Sequence, residues 1–185
     1  MPCISPIYVN KKGIRNFVPC GKCHYCKDAK RNEWSFRLFQ EWKVSHSAMF
    51  ITLTYKDAYL PLKEHPPLSG AFVPVLDKKD VQNFIKRLRS LVERERRYYK
   101  DSADQCWKQK IRYFAVGEYG DSFDRPHYHL LIFNVPVELM VNGVEKCWKK
   151  GIIDIGEVEP ASIHYCAKYC LKQGNLALMI VTGKH

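Results

Sequence analysis

No run of eighteen or more apolar residues occurs in the chain, and its amino terminus lacks the basic, apolar and small-residue succession of a secretory signal. These absences argue against a membrane span or export, and the expected location is the cytoplasm. There is no internal repeat and no low-complexity tract. No glycine-rich phosphate loop with its lysine is present either, so a nucleotide cofactor is not expected. Acid is the scarce charge: 19 Asp plus Glu stand against 30 Lys plus Arg, a formal charge of +11. Such a field attracts polyanions, and aromatic residues at 13% of the chain can stack on unpaired bases. Eight cysteines in a small exported chain would suggest disulfides. Without a signal, and with 46% hydrophobic residues, they read instead as thiols or metal ligands. At 185 residues the chain suits one domain with a real core and an amino-terminal appendage.

Cys20-x-x-Cys23-x-x-Cys26 is a tight thiol cluster of zinc-knuckle type, with Cys3 as a distant fourth ligand and His24 as a substitute. From Lys27 to Ser45, Trp34, Leu38 and Trp42 recur at four-residue intervals among basic residues, which predicts an amphipathic helix. Met49 to Tyr55 reads as a strand with Phe50, Thr52 and Thr54 on one face, and the threonine face can approach DNA. Four prolines between Lys56 and Leu76 predict a loop. Asp77 is the expected cap of a helix to about Tyr99 with Val81, Phe84, Leu88, Leu91 and Val92 buried and a strongly basic exposed side. Ile111–Glu118 and His127–Asn134 read as an antiparallel hairpin. A helix over Val137–Lys149, a strand over Ile152–Ile155 and a helix opened by Pro160 complete the order. That order fits an α+β domain with a mainly antiparallel central sheet and flanking helices.

His127 and His129 alternate with Tyr128, so a strand points both imidazoles to one face, where they can hold a divalent metal. Glu118 ends the preceding strand and can lie beside them. Two histidines and one carboxylate leave coordination positions open and suit magnesium or manganese. Asp121 and Asp124 are rival carboxylates in the same turn. Tyr165 and Tyr169, four residues apart, share one face of the last helix. A free phenol is a poor nucleophile at neutral pH, and Lys168 lies in the same helical segment to assist it.

Together these residues resemble the HUH endonucleases, metal-dependent enzymes with a tyrosine nucleophile that act on single-stranded DNA. The tyrosine pair is similar to that of the two-tyrosine rolling-circle initiators of the Microviridae. The segments Pro19 to Cys26, Phe50 to Tyr55 and Gly117 to Gly120 are similar to the gokushovirus branch. The likeness runs from about Cys3 to Lys172. It implies an RRM-like central sheet with the histidine strand in the middle, and a three-part chain: a Cys-rich segment over 1–26, an endonuclease domain over 27–173 and a short tail over 174–185. It also implies nicking and rejoining of single-stranded or hairpin origin DNA through a covalent 5′-phosphotyrosine, followed by synthesis with host replication machinery. Tyr165, Tyr169 and Lys168 are then catalytic, and Glu118, His127 and His129 hold magnesium or manganese; the spacing of the cysteines, apart from the resemblance, makes Cys3, Cys20, Cys23 and Cys26 a candidate structural zinc site, with a reduced, unmetallated turn as the alternative. Thr52, Thr54, Arg125 and Lys172 are the expected DNA contacts. Sixteen residues follow Tyr169, fewer than the resemblance leads one to expect, so the chain reads as truncated or as a short variant. Two other readings stand beside this one: a single-tyrosine HUH transposase or relaxase, and a noncatalytic single-strand binder.

Overall fold

Alternation along one strand organises the molecule. The structure is a computed structural model that describes residues 3–120, 124–140, 142–169 and 177–178. A hairpin of β1 (Ile7–Lys11) and β2 (Ile14–Val18) leads into α1 (His24–Val44), followed by β3 (Ala48–Thr54). A small hairpin of β4 (Leu62–Glu64) and β5 (Phe72–Pro74) precedes α2 (Lys78–Glu95). Then come β6 (Arg112–Tyr119), β7 (Pro126–Phe133), α3 (Val137–Met140), β8 (Ile153–Glu157), α4 (Pro160–Tyr169) and β9 (Ala177–Leu178).

The central sheet runs β8-β3-β7-β6-β9, with every pairing antiparallel and the histidine strand β7 in the middle. Both faces of β7 are covered, and the two covers differ. Tyr128, Leu130 and Ile132 point into an apolar layer with Met49, Ile51 and Leu53 of β3 and with Val81, Phe84 and Leu88 of α2. Leu131 and Phe133 point the other way, into a layer with Phe114, Val116, Leu38 of α1 and Ile163 and Cys166 of α4. Trp34 and Trp42 pack on the edge of that second layer, as their spacing predicts. The strand β3 alternates buried and half-buried residues in the expected phase, with Phe50, Thr52 and Thr54 on the less buried side.

Local chemistry fixes the boundaries. The Asp77 side chain accepts the Lys79 N–H at 2.8 Å and opens α2. That helix stops at Glu95, and Arg96–Tyr98 continue it only as a tighter 3-10 turn. The basic side of α2 belongs to the sheet face opposite His127 and His129, and two of its guanidinium groups are engaged with backbone: Arg87 donates to the Cys147 carbonyl at 2.7 Å and Arg89 to the Ile111 carbonyl at 3.1 Å. The long helix expected over Val137–Lys149 is not formed. Its chain turns after Met140, where the Gly143 and Val144 N–H groups both donate to the Leu139 carbonyl, and Glu145–Cys147 form a 3-10 turn. Burial of Val144, Cys147 and Trp148 against α2 explains the preference for that turn over a continued helix. The Lys56–Leu76 segment is likewise not a plain loop, because β4 and β5 pair within it. Gly151 is required where the chain crosses the end of β3, since a Cβ there would lie 1.9 Å from the Thr54 carbonyl oxygen. Among the described residues, no helix is long and apolar enough to cross a membrane.

Candidate active site

The face of β7 that buries Leu131 and Phe133 becomes polar toward the start of the strand. Register places Thr52 of β3 opposite His129, and Glu118 of β6 opposite His127. Antiparallel neighbours share a face, so four polar side chains from three strands meet at one end of the second apolar layer. Helix α4 covers that end and brings Tyr165 and Tyr169 over it, their rings 4.7 Å apart.

One oxygen is the focus. Oε1 of Glu118 lies 2.6 Å from Nε2 of His127 and 2.8 Å from Nε2 of His129, and it accepts the Tyr165 hydroxyl at 2.8 Å. The Tyr165 hydroxyl is also 3.4 Å from Nε2 of His129. Glu118 is only 5% exposed. Burial alone would raise its pKa, but hydrogen bonds from Tyr169, Tyr165, His129 and His127 outweigh that and draw it down to about 2. Burial keeps His129 below the usual histidine range, against the pull of Glu118. Tyr165 is shifted upward by burial, by its hydrogen bond with Tyr169 and by the Glu118 carboxylate, so its proton is firmly held.

The imidazoles are oriented from behind. Nδ1 of His127 lies 3.1 Å from the Arg125 carbonyl, which can only accept, so this nitrogen carries a proton. Nε2 faces the Glu118 carboxylate oxygen 2.6 Å away and can either donate to it or turn its lone pair to a bound cation. Nδ1 of His129 is 3.1 Å from the Thr52 hydroxyl, and its ring stacks on Phe50 at 5.6 Å and 5°. The donor atoms of Glu118, His127 and His129 all lie within 4.8 Å of one another. One carboxylate oxygen and two imidazole nitrogens could hold a divalent cation and leave coordination positions open.

Residues 48–174 match the family of replication-associated proteins ORF2/G2P. The chain belongs to this family. It is 31% identical over 182 residues to the replication-associated protein ORF2 of Spiroplasma virus 4, across 89% of the chain and 51% of that relative. To the replication-associated protein VP4 of Bdellovibrio phage phiMH2K it is 29% identical over 202 residues, covering 94% of the chain and 58% of the relative. A third relative, the replication-associated protein ORF4 of Chlamydia phage 1, is 24% identical over 174 residues, covering 84% and 38% respectively. The chain therefore spans about half the length of the first two relatives. No solved structure matches it. The family segment contains Glu118, His127, His129, Tyr165 and Tyr169, whereas Cys3, Cys20, Cys23 and Cys26 precede it.

Other expected site residues have varied placements. Lys168 is exposed on α4, three residues beyond Tyr165 and thus on a neighbouring face. Thr52 reaches His129, and the Thr54 hydroxyl donates to the Ile152 carbonyl at 3.3 Å. Arg125 is engaged with Asp57 at 2.6 Å and with the Tyr55 carbonyl, which fixes the backbone whose oxygen holds His127. Lys172 and Asp121 lie outside the described residues, and Asp124 is exposed in the turn. Cys3, Cys20, Cys23 and Cys26 gather as a separate group.

Sequence reasoning overlooked the support beneath β7. Tyr128 accepts the Asp77 N–H at 2.7 Å, donates to the Asp77 carbonyl at 2.9 Å and lies 3.1 Å from the Tyr55 hydroxyl. Tyr55 donates to Asp80 at 2.8 Å, and Asp80 pairs with Lys150 at 2.7 Å. The signal for it was present: Asp80 sits beside Val81 in the apolar stripe of α2, where an acid requires partners.

Proposed function

We propose that the chain carries the catalytic domain of a replication initiator, a metal-dependent endonuclease and strand transferase that nicks and rejoins single-stranded DNA at a rolling-circle origin. The observation that carries this reading is the Tyr165 hydroxyl, 2.8 Å from the Glu118 oxygen on which both imidazoles converge. A nucleophile and three metal donors thus border one point. Glu118, His127 and His129 hold the cation, which when bound supplies positive charge to the nonbridging oxygens of a phosphodiester and to a phenolate.

Tyr165 is the first nucleophile. At 37% exposure its side chain reaches the surface, whereas Tyr169 is 8% exposed. Its oxygen forms a bond to phosphorus as the bond from phosphorus to the 3′ oxygen breaks. The phenol loses its proton, the departing 3′ oxygen gains one, and the 5′ end stays joined to the protein. One ester replaces another, so no nucleotide is consumed. Lys168, exposed three residues along α4, binds the scissile phosphate. Tyr169 acts after a full round of copying, attacking the regenerated junction so that the 3′ hydroxyl freed from it displaces the first tyrosine and closes the circle. The free 3′ hydroxyl made at each nick is a primer, which makes a host DNA polymerase the implied partner.

Incubation with labelled single-stranded origin DNA and manganese, followed by denaturing gel electrophoresis, tests the reading. A covalent adduct that disappears with a chelator and in the Tyr165→Phe/Tyr169→Phe double variant is expected. Binding without adduct in the native protein would identify a noncatalytic single-strand binder. The burial of Tyr169 favours one rival, the single-tyrosine transposase or relaxase. A complete nick-and-rejoin cycle by Tyr169→Phe would establish that rival.

A further inference from the structure

Four thiols take no part in the chemistry above, and their placement is specific. Cys3 precedes β1, Cys20 follows β2, Cys23 is the residue before α1 and Cys26 lies in the first turn of that helix. We propose that Cys3, Cys20, Cys23 and Cys26 form a tetrathiolate structural zinc site that clips both ends of the β1–β2 hairpin to the start of α1. This inference is independent of the nicking reading.

The sulfur geometry carries it. A tetrahedral zinc with Zn–S bonds of about 2.3 Å sets its ligands about 3.8 Å apart. The Cys20–Cys26 and Cys3–Cys23 sulfurs are each 3.9 Å apart, and all four lie within 4.8 Å of one another. A disulfide needs about 2.0 Å, so these are not bonded pairs. Backbone N–H groups also point at the sulfurs: Cys20 N–H to Cys3 Sγ at 3.2 Å, and Cys23 and Lys22 N–H to Cys20 Sγ at 3.3 and 3.4 Å. Gly21, at φ +72°, makes the tight turn that aims the last two, a conformation that side chains rarely adopt. Such donors stabilise sulfur that carries negative charge.

Ligand type and surroundings agree. Soft thiolates select zinc, and the four sulfurs contrast with the mixed nitrogen and oxygen set of Glu118, His127 and His129. Four protein ligands fill a tetrahedron and leave no open position, which makes the site structural. No Asp or Glu occurs before Asp28, the first turn of α1 has no acid, and Cys23 provides no side-chain cap. A negative tetrathiolate supplies the charge that this helix end otherwise lacks.

The hairpin also requires an anchor. Ile7, Tyr8, Val9, Phe17 and Val18 are all exposed, and no residue of β1 or β2 joins either apolar layer among the described residues. A lone two-stranded hairpin is marginal in water, so a clip at its two ends decides whether it persists.

The test is the metal content of the full chain, purified under reducing conditions without chelator. One zinc per chain is expected, retained in the His127→Ala/His129→Ala variant and lost in Cys20→Ser/Cys23→Ser. The cobalt-substituted protein should show the charge-transfer and visible bands of a tetrahedral tetrathiolate, a readout that needs no variant to fold. Removal of zinc with a mercurial should open new protease cuts between residues 3 and 23 while the remainder stays resistant. Purified protein without stoichiometric zinc, zinc lost with the histidine variant, or titration showing disulfides among these four cysteines would each overturn the proposal.

Discussion

The two faces of β7 hold polar groups in opposite ways. Behind the strand, Tyr128 and Tyr55 are buried, and their hydroxyls are closed into a network with Asp77 and Asp80. In front, three groups crowd onto a single Glu118 oxygen, and one of them, Tyr165, reaches the surface. The closed network fixes the strand. The crowded one gathers three donors that could hold a cation beside an exposed phenol. A satisfied buried network rigidifies its surroundings, which suits the side that bears no chemistry.

The most severe way to break this contrast is to remove a front ligand. His129→Ala should lower nicking by about 10³-fold or more, because it deletes a metal donor, with little change in the melting temperature. Parallel rate and melting measurements decide it, and unaltered nicking would detach the site from the reaction. Next, the apolar halves of the two faces should behave alike in stability. Leu131→Ala in front and Leu130→Ala behind, both fully buried, should each cost about 2–5 kcal/mol in urea unfolding. A near-neutral result for either would show that one layer is not a true core.

Much of this contrast was visible in the sequence, because it follows from a period of two. His127, His129, Leu131 and Phe133 fall on one side and Tyr128, Leu130 and Ile132 on the other in any strand. A neighbouring strand ending in Glu118 delivers the carboxylate. The supports were hidden because they obey no period. The Arg125 carbonyl holding His127 and the stacking of Phe50 on His129 depend on turn geometry and on strand order. The β1–β2 hairpin escaped notice because it buries no apolar stripe, and α3 was overextended because Val144, Cys147 and Trp148 are apolar at a spacing that a helix would also satisfy.

Smaller changes sharpen the comparison. Thr52→Val removes the hydroxyl that orients His129 and should weaken manganese binding by about 10- to 100-fold in calorimetry, leaving the fold intact. Unchanged affinity would reduce Thr52 to packing. The least dramatic test is pH. In the metal-free protein, the Glu118 pKa falls to about 2, below its unfolded value of about 4.3. Its contribution to stability is therefore complete above that unfolded value and is lost as pH falls toward 2. Tyr128 behaves in the opposite sense. Burial pushes it up to about 12 from an unfolded value near 10, so its contribution is complete below pH 10 and is lost as pH rises toward 12. Denaturant midpoints across pH should show Glu118→Gln flattening the acid limb and Tyr128→Phe flattening the alkaline one. Any crossover between those assignments would dissolve the distinction between the faces.

The position of the histidines on the same alternating strand as the core has a consequence for inheritance. A one-residue insertion or deletion within β7 that shifted its later residues would turn His129 and Leu131 toward α2 and Leu130 toward the tyrosines, driving an imidazole into one apolar layer and breaking the packing of both. A register error would not leave a folded chain with an altered site. It would remove itself by failing to fold, so the strand guards its own reading frame.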